Sequence, residues 1–219
     1  MSSNTATLTD NRTGKSYEFP ILKGTMGPDV IDISTFFSDT GMFTFDRGYT
    51  STAMCRSAIT YIDGLKGELM YRGYDIAYLA ENKTFLDVAY LLLNKELPTG
   101  EQYASFKDEL KKRSFIHEGM MKLFDAFPDK AHPMAILQAA VSALSAFYSD
   151  HLNMDKPEEY HEMAMRIIAK IPTIAAFSYR YSRGLPIIYP NLDRGFTENF
   201  LSMMRGYPYE HVDLKPIEI

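Results

Sequence analysis

Residues 132–148 read HPMAILQAAVSALSAFY and carry the strongest fold signal in the chain. Pro133 stands where the first residue of a helix is favoured, and His132 before it is expected to cap that helix or to pack. The segment is apolar on most of its sides, which is typical of a helix that is buried all round. It therefore predicts a mainly α-helical protein.

Further helices are predicted on both sides of this segment. Thr84 has the position of an N-cap, and Thr99 with Gln102 has the spacing of a capping box. Pro157 is predicted to begin a long helix, and Pro172 is predicted to kink it. The pattern predicts six or seven helices, mostly short, and it shows no long internal repeat of the kind that indicates a solenoid.

Before residue 74 the pattern changes to short strands and polar turns. Strands are predicted at residues 17–19, 30–33 and 42–45, and in the two arms of a hairpin, 59–62 and 68–71. The hairpin loop, DGLKG, is rich in residue types that tolerate left-handed conformations. The sequence therefore predicts two domains: a β-rich region, residues 1–73, and a helical region, residues 74–219.

The composition is that of a globular protein, with 46% apolar and 23% charged residues among 219. A net charge of −5 creates no field that would attract nucleic acid or an anionic membrane surface. No apolar run approaches the ~18 residues of a membrane span, and residues 1–10 lack the pattern of a secretion signal. The single cysteine, Cys55, excludes an internal disulfide framework, so we expect a cytoplasmic protein with a structural thiol.

Familiar catalytic and cofactor motifs do not occur. The sequence contains no G-x-S-x-G elbow, no phosphate loop of the G-x-x-x-x-G-K-[ST] type and no G-x-G-x-x-G. Glu158 and His161 have the i, i+3 spacing of carboxylate-bridged di-iron sites, but that chemistry needs a second Glu-x-x-His, which the sequence lacks. We therefore predict no metal site and no cofactor.

The basic residues form the one candidate binding site. Lys112 and Arg113 lie at the end of a predicted helix, where cations complement the helix dipole. Alternatively, they bind a phosphate-bearing ligand together with Arg166 and Lys170, which share a helix face at i, i+4. Tyr148 would then be placed to stack on a base. The sequence leaves both interpretations open, because it does not show whether these residues meet.

Many short motifs, in order along the chain, resemble the N-terminal half of citrate synthase. They are residues 22–25 (LKGT), 29–33 (DVIDI), 43–46 (FTFD), 50–53 (TSTA), 61–64 (YIDG), 71–74 (YRGY), 91–94 (LLLN), 132–134 (HPM) and 170–173 (KIPT). The resemblance runs from about residue 20 to the end and includes the β-rich preface of the hexameric bacterial type. It implies part of the helical large domain of citrate synthase, with a small N-terminal β region.

The resemblance also implies an activity and a homo-oligomer. The family condenses acetyl-CoA with oxaloacetate and water to give citrate and CoA, using an Asp base and two His residues. In the family these groups lie in the second half of the polypeptide, and none of the five His residues here matches a catalytic position. We therefore expect no catalytic residue in this chain, a chain truncated before the active-site segment, and no activity from these 219 residues alone.

The hexameric bacterial members are inhibited by NADH at a site in this half of the polypeptide. The matching positions are Lys112, Arg113, Ser114, Phe115, Tyr148, Arg166, Lys170 and Tyr209. Where the family typically has Arg, His, Met and Cys, this chain has Lys112, Arg113, Phe115 and Tyr209. The lost guanidinium fork and the two bulky rings weigh against NADH as an inhibitor of this protein.

Two other functions remain open at this stage. One is a fragment of 2-methylcitrate synthase, a near relative that accepts propionyl-CoA. The other is a non-catalytic helical module for oligomerisation or partner binding. Because the family builds its large domain from both halves of the sequence, helices such as residues 133–148 are expected to be incompletely buried.

Overall fold

The computed structural model describes residues 4–128, 130–149, 153 and 155–206. The chain divides into two compact units, which we call the β unit (Met1–Ile76) and the helical unit (Ala77–Ile219). The two domains expected from the sequence, residues 1–73 and 74–219, stay a prediction.

The β unit begins with an antiparallel sheet in the order β1-β2-β3. Its strands are β1 (Thr5–Asp10), β2 (Lys15–Leu22) and β3 (Val30–Ile31), followed by a one-turn helix, α1 (Phe36–Thr40). The carboxylate of Asp10 holds the β1–β2 turn because it accepts hydrogen bonds from the backbone N–H and the guanidinium of Arg12. The strand predicted at residues 17–19 is confirmed as part of β2, and this local bonding favours the turn that joins it to β1.

A second antiparallel sheet, in the order β4-β5-β6, confirms the predicted hairpin. Its strands are β4 (Thr60–Asp63), β5 (Glu68–Tyr71) and β6 (Tyr74–Asp75). Thr60 lies opposite Tyr71 and Asp63 lies opposite Glu68. The Asp63 carboxylate accepts the N–H groups of Leu65 and Lys66 at 3.1 and 3.2 Å, which fixes the loop from its first residue.

The strand predicted at residues 42–45 is wrong. The structure has no strand there, and Phe43 and Phe45 are 80% and 92% exposed. An alternating pattern is stable as a strand when it pairs with a neighbouring strand and buries one face, and residues 42–45 pair with no strand and include no buried side chain. The Phe43 ring instead stacks on Phe37 at 4.2 Å, and Asp46, directly after this segment, begins a tightly bonded loop.

The helical unit contains the remaining elements within the described residues. They are α2 (Ile76–Asn82, which begins at the unit boundary), α3 (Phe85–Asn94), α4 (Gly100–Arg113), a 3-10 turn (Glu118–Met120), α5 (Met121–Asp125), α6 (Pro133–Phe147), α7 (Pro157–Ser182) and α8 (Phe196–Arg205). The predicted caps are confirmed, because Thr84 and Thr99 each form a capping box and the His132 imidazole accepts the N–H of Met134. α7 continues through Pro172 for 26 residues.

Helix α7 is the centre of the helical unit, where it packs against α4, α6 and α8. Near its start, Met165 and Ala169 join a cluster with α3 and α4 side chains, which are Leu86, Phe106 and Leu110. Further along, Ile174 and Phe177 join a second cluster with Met120, Phe124, Ile136, Ala140 and Leu144. The residues between these two clusters therefore lie on the part of α7 that faces the end of α4.

Helix α6 is buried on one face. Ile136, Ala140 and Leu144, spaced four residues apart, form its buried stripe, while Met134 is 61% exposed. The expectation that this helix is buried all round is therefore wrong, and the expectation of incomplete burial is confirmed. The physical reason is that, among the described elements, α7 provides the most extensive packing against α6, and it covers one face of that helix.

Two further properties of the described residues bear on function. None of the helices in this part of the chain combines the length and the apolar content needed to cross a bilayer. The Cys55 thiol is free and exposed in the β unit, so the expectation of a structural thiol is wrong. Cys55 lies in the irregular segment that precedes β4. Its side chain lines an open cleft of about 750 Å³.

Candidate functional site

The predicted basic residues meet where the end of α4 approaches the first half of α7. Arg113 is the last residue of α4, and its guanidinium binds the carboxylate of Glu162 on α7, with Nε–Oε1 and Nη2–Oε2 distances of 3.1 and 2.8 Å. Arg166, one turn further along α7, donates from Nε to the same Oε1 at 2.7 Å. One carboxylate therefore bridges two guanidinium groups that come from different helices.

This bridge shifts the pKa values of its members in opposite directions. Hydrogen bonds from Arg113 and, to a smaller extent, from Arg166 lower the pKa of Glu162. The hydrogen bonds with Glu162 and Glu109 raise the pKa of Arg113. Both shifts favour the charged forms, so the bridge is a fully ionised network at neutral pH.

Lys170 lies beneath this bridge and is 4% exposed. Its ammonium group donates to the carbonyl of Arg113 at 2.7 Å and to the carbonyl of Phe115. Thr173, one turn later, donates from its hydroxyl to the carbonyl of Ser114 at 2.8 Å. Helix α7 thus satisfies three consecutive carbonyls at the C-terminal end of α4, which a helix end leaves without intrahelical donors.

The ammonium of Lys170 is affected by burial and by its neighbours. Burial is the largest cause and the charges of Arg166 and Arg113 add to it, so the pKa of Lys170 falls from 10.5 to about 8. Glu162 acts in the opposite direction but does not cancel these effects. The site therefore retains a positive potential in spite of its carboxylates.

Tyr148 closes the cluster at the end of α6. The ring centroid lies 5.0 Å from Cζ of Arg166 and 4.8 Å from Nζ of Lys170, which are cation–π distances. Burial raises the pKa of the Tyr148 hydroxyl. The ring that we expected to stack on a base is therefore already in contact with two cations of the protein.

Lys112 is turned towards its own helix. Its ammonium lies 2.7 Å from a carboxylate oxygen of Asp108 and 3.0 Å from one of Glu109, and Glu109 also pairs with Arg113. The structure thus brings together Arg113, Ser114, Tyr148, Arg166 and Lys170, while Lys112 joins them through Glu109. Phe115 enters the cluster through its carbonyl, and Tyr209 lies outside the described residues.

Glu162 is a member of this cluster that the sequence analysis did not include among the candidate site residues. Its i, i+4 spacing to Arg166 was visible in the sequence, as was the same spacing of Glu109 to Arg113. The contact between Glu162 and Arg113 joins residues 49 positions apart, and no local pattern predicts it. Among the described residues, no cluster of side chains is suited to hold a metal ion.

Comparisons with known proteins show which sequences and folds this chain is similar to. A family model described as citrate synthase, C-terminal domain, matches residues 48–218. The citrate synthase of Helicobacter pylori (strain J99 / ATCC 700824) is 47% identical over 222 residues, which cover 97% of this chain and 52% of that protein. The chain thus spans about half the length of this curated relative.

Solved citrate synthases share the fold. The structure from Pyrobaculum aerophilum has a TM-score of 0.70 at 32% identity and covers 91% of this chain and 48% of its own. The structure from Thermotoga maritima has a TM-score of 0.68 at 30% identity, covering 80% and 45%. A ternary complex of the Thermoplasma acidophilum enzyme with carboxymethyl coenzyme A and oxaloacetate has a TM-score of 0.72 at 22% identity, covering 80% and 46%, and supports the fold alone.

The family match covers most of the sequence, and the sequence and fold similarities to several of its members agree with it. From this agreement we conclude that the chain belongs to the citrate synthase family.

Proposed function

We propose that this chain is the N-terminal portion of a citrate synthase, which condenses acetyl-CoA with oxaloacetate and water to give citrate and CoA. The observation that carries the proposal is the 47% identity to a curated citrate synthase across 97% of the chain. The substrate pair agrees with the ligands in the Thermoplasma acidophilum complex. In this proposal the groups that move protons belong to the second half of the enzyme, and α4, α6, α7 and α8 supply part of the frame that holds them.

The test is a thiol-release assay with acetyl-CoA and oxaloacetate on two proteins. The first is the 219-residue chain, from which we expect no turnover. The second is a chimera, in which this chain replaces the matching half of the Helicobacter pylori enzyme. We expect the chimera to release CoA, with the intact Helicobacter pylori enzyme as the positive control. Turnover by the chain alone, or a folded chimera without activity, would contradict the proposal.

The same chimera separates the acyl-CoA alternatives. Replacing acetyl-CoA by propionyl-CoA tests the alternative that this chain belongs to a 2-methylcitrate synthase. We expect acetyl-CoA to be preferred, because the sequence similarity is to citrate synthases. A higher ratio of propionyl-CoA to acetyl-CoA turnover in the chimera than in the intact Helicobacter pylori enzyme would favour a 2-methylcitrate synthase.

We also propose a nucleotide site at Lys112, Arg113, Ser114, Tyr148, Arg166 and Lys170, with NADH as the candidate inhibitor. Support comes from the meeting of three cations and a tyrosine ring at the junction of α4, α6 and α7. Calorimetric titration with NADH is the test. We expect Arg166→Gln to abolish any binding, and Arg183→Gln, which removes an arginine at the end of α7, to leave it unchanged.

Assembly and compartment complete the proposal. Large apolar side chains of the β unit, among them Phe43, Phe45 and Met54, are mostly exposed, which supports a homo-oligomer. Size-exclusion chromatography with light scattering tests this, and a monomer at all concentrations would contradict it.

We place the protein in the cytoplasm, supported by a sequence with one cysteine and therefore no internal disulfide. Cell fractionation checks that location.

A further inference from the structure

The Glu162 carboxylate is bound in the manner of a ligand. Its two oxygens accept three hydrogen bonds from two guanidinium groups, at 2.7, 2.8 and 3.1 Å, with a weaker contact at 3.2 Å. A forked guanidinium recognises the paired oxygens of a carboxylate and those of a phosphate by the same geometry. The two arginines therefore form an anion site whose occupant is a side chain of the protein.

The surroundings of this site favour an added anion once that side chain leaves. Lys112, Arg113, Arg166 and Lys170 contribute four positive charges, and Asp108, Glu109 and Glu162 contribute three negative ones. Without Glu162 the excess of positive charge doubles. The residual positive potential is also visible in the lowered pKa of Lys170, which burial causes first and the two arginines increase.

The arginines are held in place whether or not Glu162 binds them. Arg113 also donates to the backbone carbonyl of Glu109 at 3.0 Å, and Arg166 rests on the Tyr148 ring. The backbone at Arg113 is fixed from below by Lys170. Arg113, Glu162 and Arg166 are each about one quarter exposed, with side-chain values of 26, 25 and 21%, so a ligand reaches them from solvent.

We infer that Glu162 is a built-in competitor at this site: an anion of the diphosphate class binds between Arg113 and Arg166 by displacing the Glu162 carboxylate. The affinity of the site for such an anion is therefore set by Glu162. The inference rests on the proposed nucleotide site and adds to it the residue that keeps the site closed when no ligand is bound.

Calorimetric titration with pyrophosphate alone, at low ionic strength, tests the inference on the 219-residue chain. Glu162→Gln removes the competing charge and keeps the shape, so we expect pyrophosphate to bind about tenfold more tightly than to the unchanged chain. The matched control is Glu159→Gln, which removes one negative charge from the same helix, where Glu159 pairs with Lys156. We expect no comparable gain in the control. Equal gains in both variants, or no gain in Glu162→Gln, would overturn the inference.

A second variant guards against a folding defect. Glu162→Asp keeps the charge but is too short to bridge both arginines, so it should bind pyrophosphate with an affinity between those of the unchanged chain and Glu162→Gln. Thermal melts confirm which variants are folded. An affinity of folded Glu162→Asp equal to that of the unchanged chain would count against the competitor.

Titration with NADH separates this inference from the nucleotide proposal. Tighter pyrophosphate binding by Glu162→Gln together with no NADH binding by any variant would support the competitor and defeat the nucleotide site. NADH binding to the unchanged chain with the same affinity as to Glu162→Gln would support the nucleotide site and defeat the competitor.

Discussion

The two units of this protein are ordered by different forces. In the β unit, Phe19 is the one apolar side chain that is buried among the described residues, and the turns are held by the carboxylates of Asp10, Asp46 and Asp63. In the helical unit two clusters of buried side chains pack along α7. Hydrogen bonds between near neighbours therefore shape the first unit, and burial of apolar surface stabilises the second.

Matched phenylalanines give the largest contrast. Phe124 is 0% exposed in the helical unit, and Phe45 is 92% exposed in the β unit. Phe124→Ala leaves a cavity, so we expect a loss of about 3–5 kcal/mol in the free energy of unfolding. Phe45→Ala should change it by less than about 0.5 kcal/mol. Urea denaturation followed by circular dichroism measures both, and similar losses would break the distinction between the units.

The buried lysine gives the next effect in size. Lys170→Met leaves the carbonyls of Arg113 and Phe115 without their donor, so we expect a loss of about 1–3 kcal/mol at pH 7. Lys122→Met, on an exposed lysine of α5, serves as the control and should change stability by less than about 0.5 kcal/mol. The same denaturation experiment measures both variants. If they behave alike, the tie between α7 and the end of α4 does not contribute to stability.

The pH dependence of stability tests the same lysine. The pKa of Lys170 is lowered from 10.5 to about 8 in the folded chain. Between about pH 8 and 10.5 the unfolded chain thus binds more protons at this residue, and its contribution to stability rises with pH across that window. Lys170→Met should flatten this rise in a series of urea titrations. An unchanged slope would show that the pKa of the Lys170 ammonium group is not lowered in the folded chain.

A helix cap gives a smaller effect. Thr99 accepts the N–H of Gln102 at 3.3 Å, and the Gln102 side chain accepts the N–H of Thr99 at 2.9 Å. Thr99→Ala removes the first of these bonds, so we expect α4 and the helical unit to lose about 1 kcal/mol. Thr25→Ala, on an exposed threonine of the β unit, is the control. Guanidinium titrations measure the free energy of unfolding of both variants. Equal values would argue against a stabilising role of the cap.

The smallest effect on global stability is expected in the loop that follows Asp46. Hydrogen bonds from Thr52, Ser51 and Thr50 lower the pKa of Asp46 from 3.8 to about 2. Their contribution is complete above pH 3.8 and is lost as the pH falls through about 2. Asp46→Asn replaces one of the two accepting oxygens by an NH2 donor and removes the charge, so trypsin should cleave at Arg47 and Arg56 several-fold faster, while the unfolding midpoint stays unchanged.

The control for that loop is Asp29→Asn, which affects an exposed carboxylate 3.7 Å from Lys23. Its tryptic pattern should match that of the unchanged chain. Faster cleavage in both variants would indicate a general loosening of the β unit and not the loss of the Asp46 hydrogen bonds.

Local patterns in the sequence predicted the local parts of the fold. The capping boxes at Thr84 and Thr99 involve partners three residues away, and the hairpin of β4 and β5 is set by its own loop. Both are decided by neighbours in the chain, so composition and spacing were sufficient. The segment at residues 42–45 shows the limit, because its alternating pattern needed a partner strand that the fold does not provide.

The sequence predicted the basic residues of the candidate site but not the carboxylate that pairs with them. Arg166 and Lys170 share a helix face by spacing alone, and their meeting with Arg113 agrees with the expected basic cluster. Lys170 donates to the carbonyl of Arg113 from 57 positions away, and the Arg113 guanidinium donates to Glu162, 49 positions away; both bonds depend on how α4 packs on α7. The sequence therefore indicated the cations and missed the carboxylate between them.

The exposed thiol of Cys55 makes the β unit accessible to spectroscopy. The chain has one cysteine and no tryptophan, so a maleimide dye attaches at a single known position and no indole emission overlaps its signal. A dye at Cys55 reports on the β unit, and circular dichroism at 222 nm reports on the helices. The two optical signals, recorded in one titration, follow the melting of each half of this molecule separately.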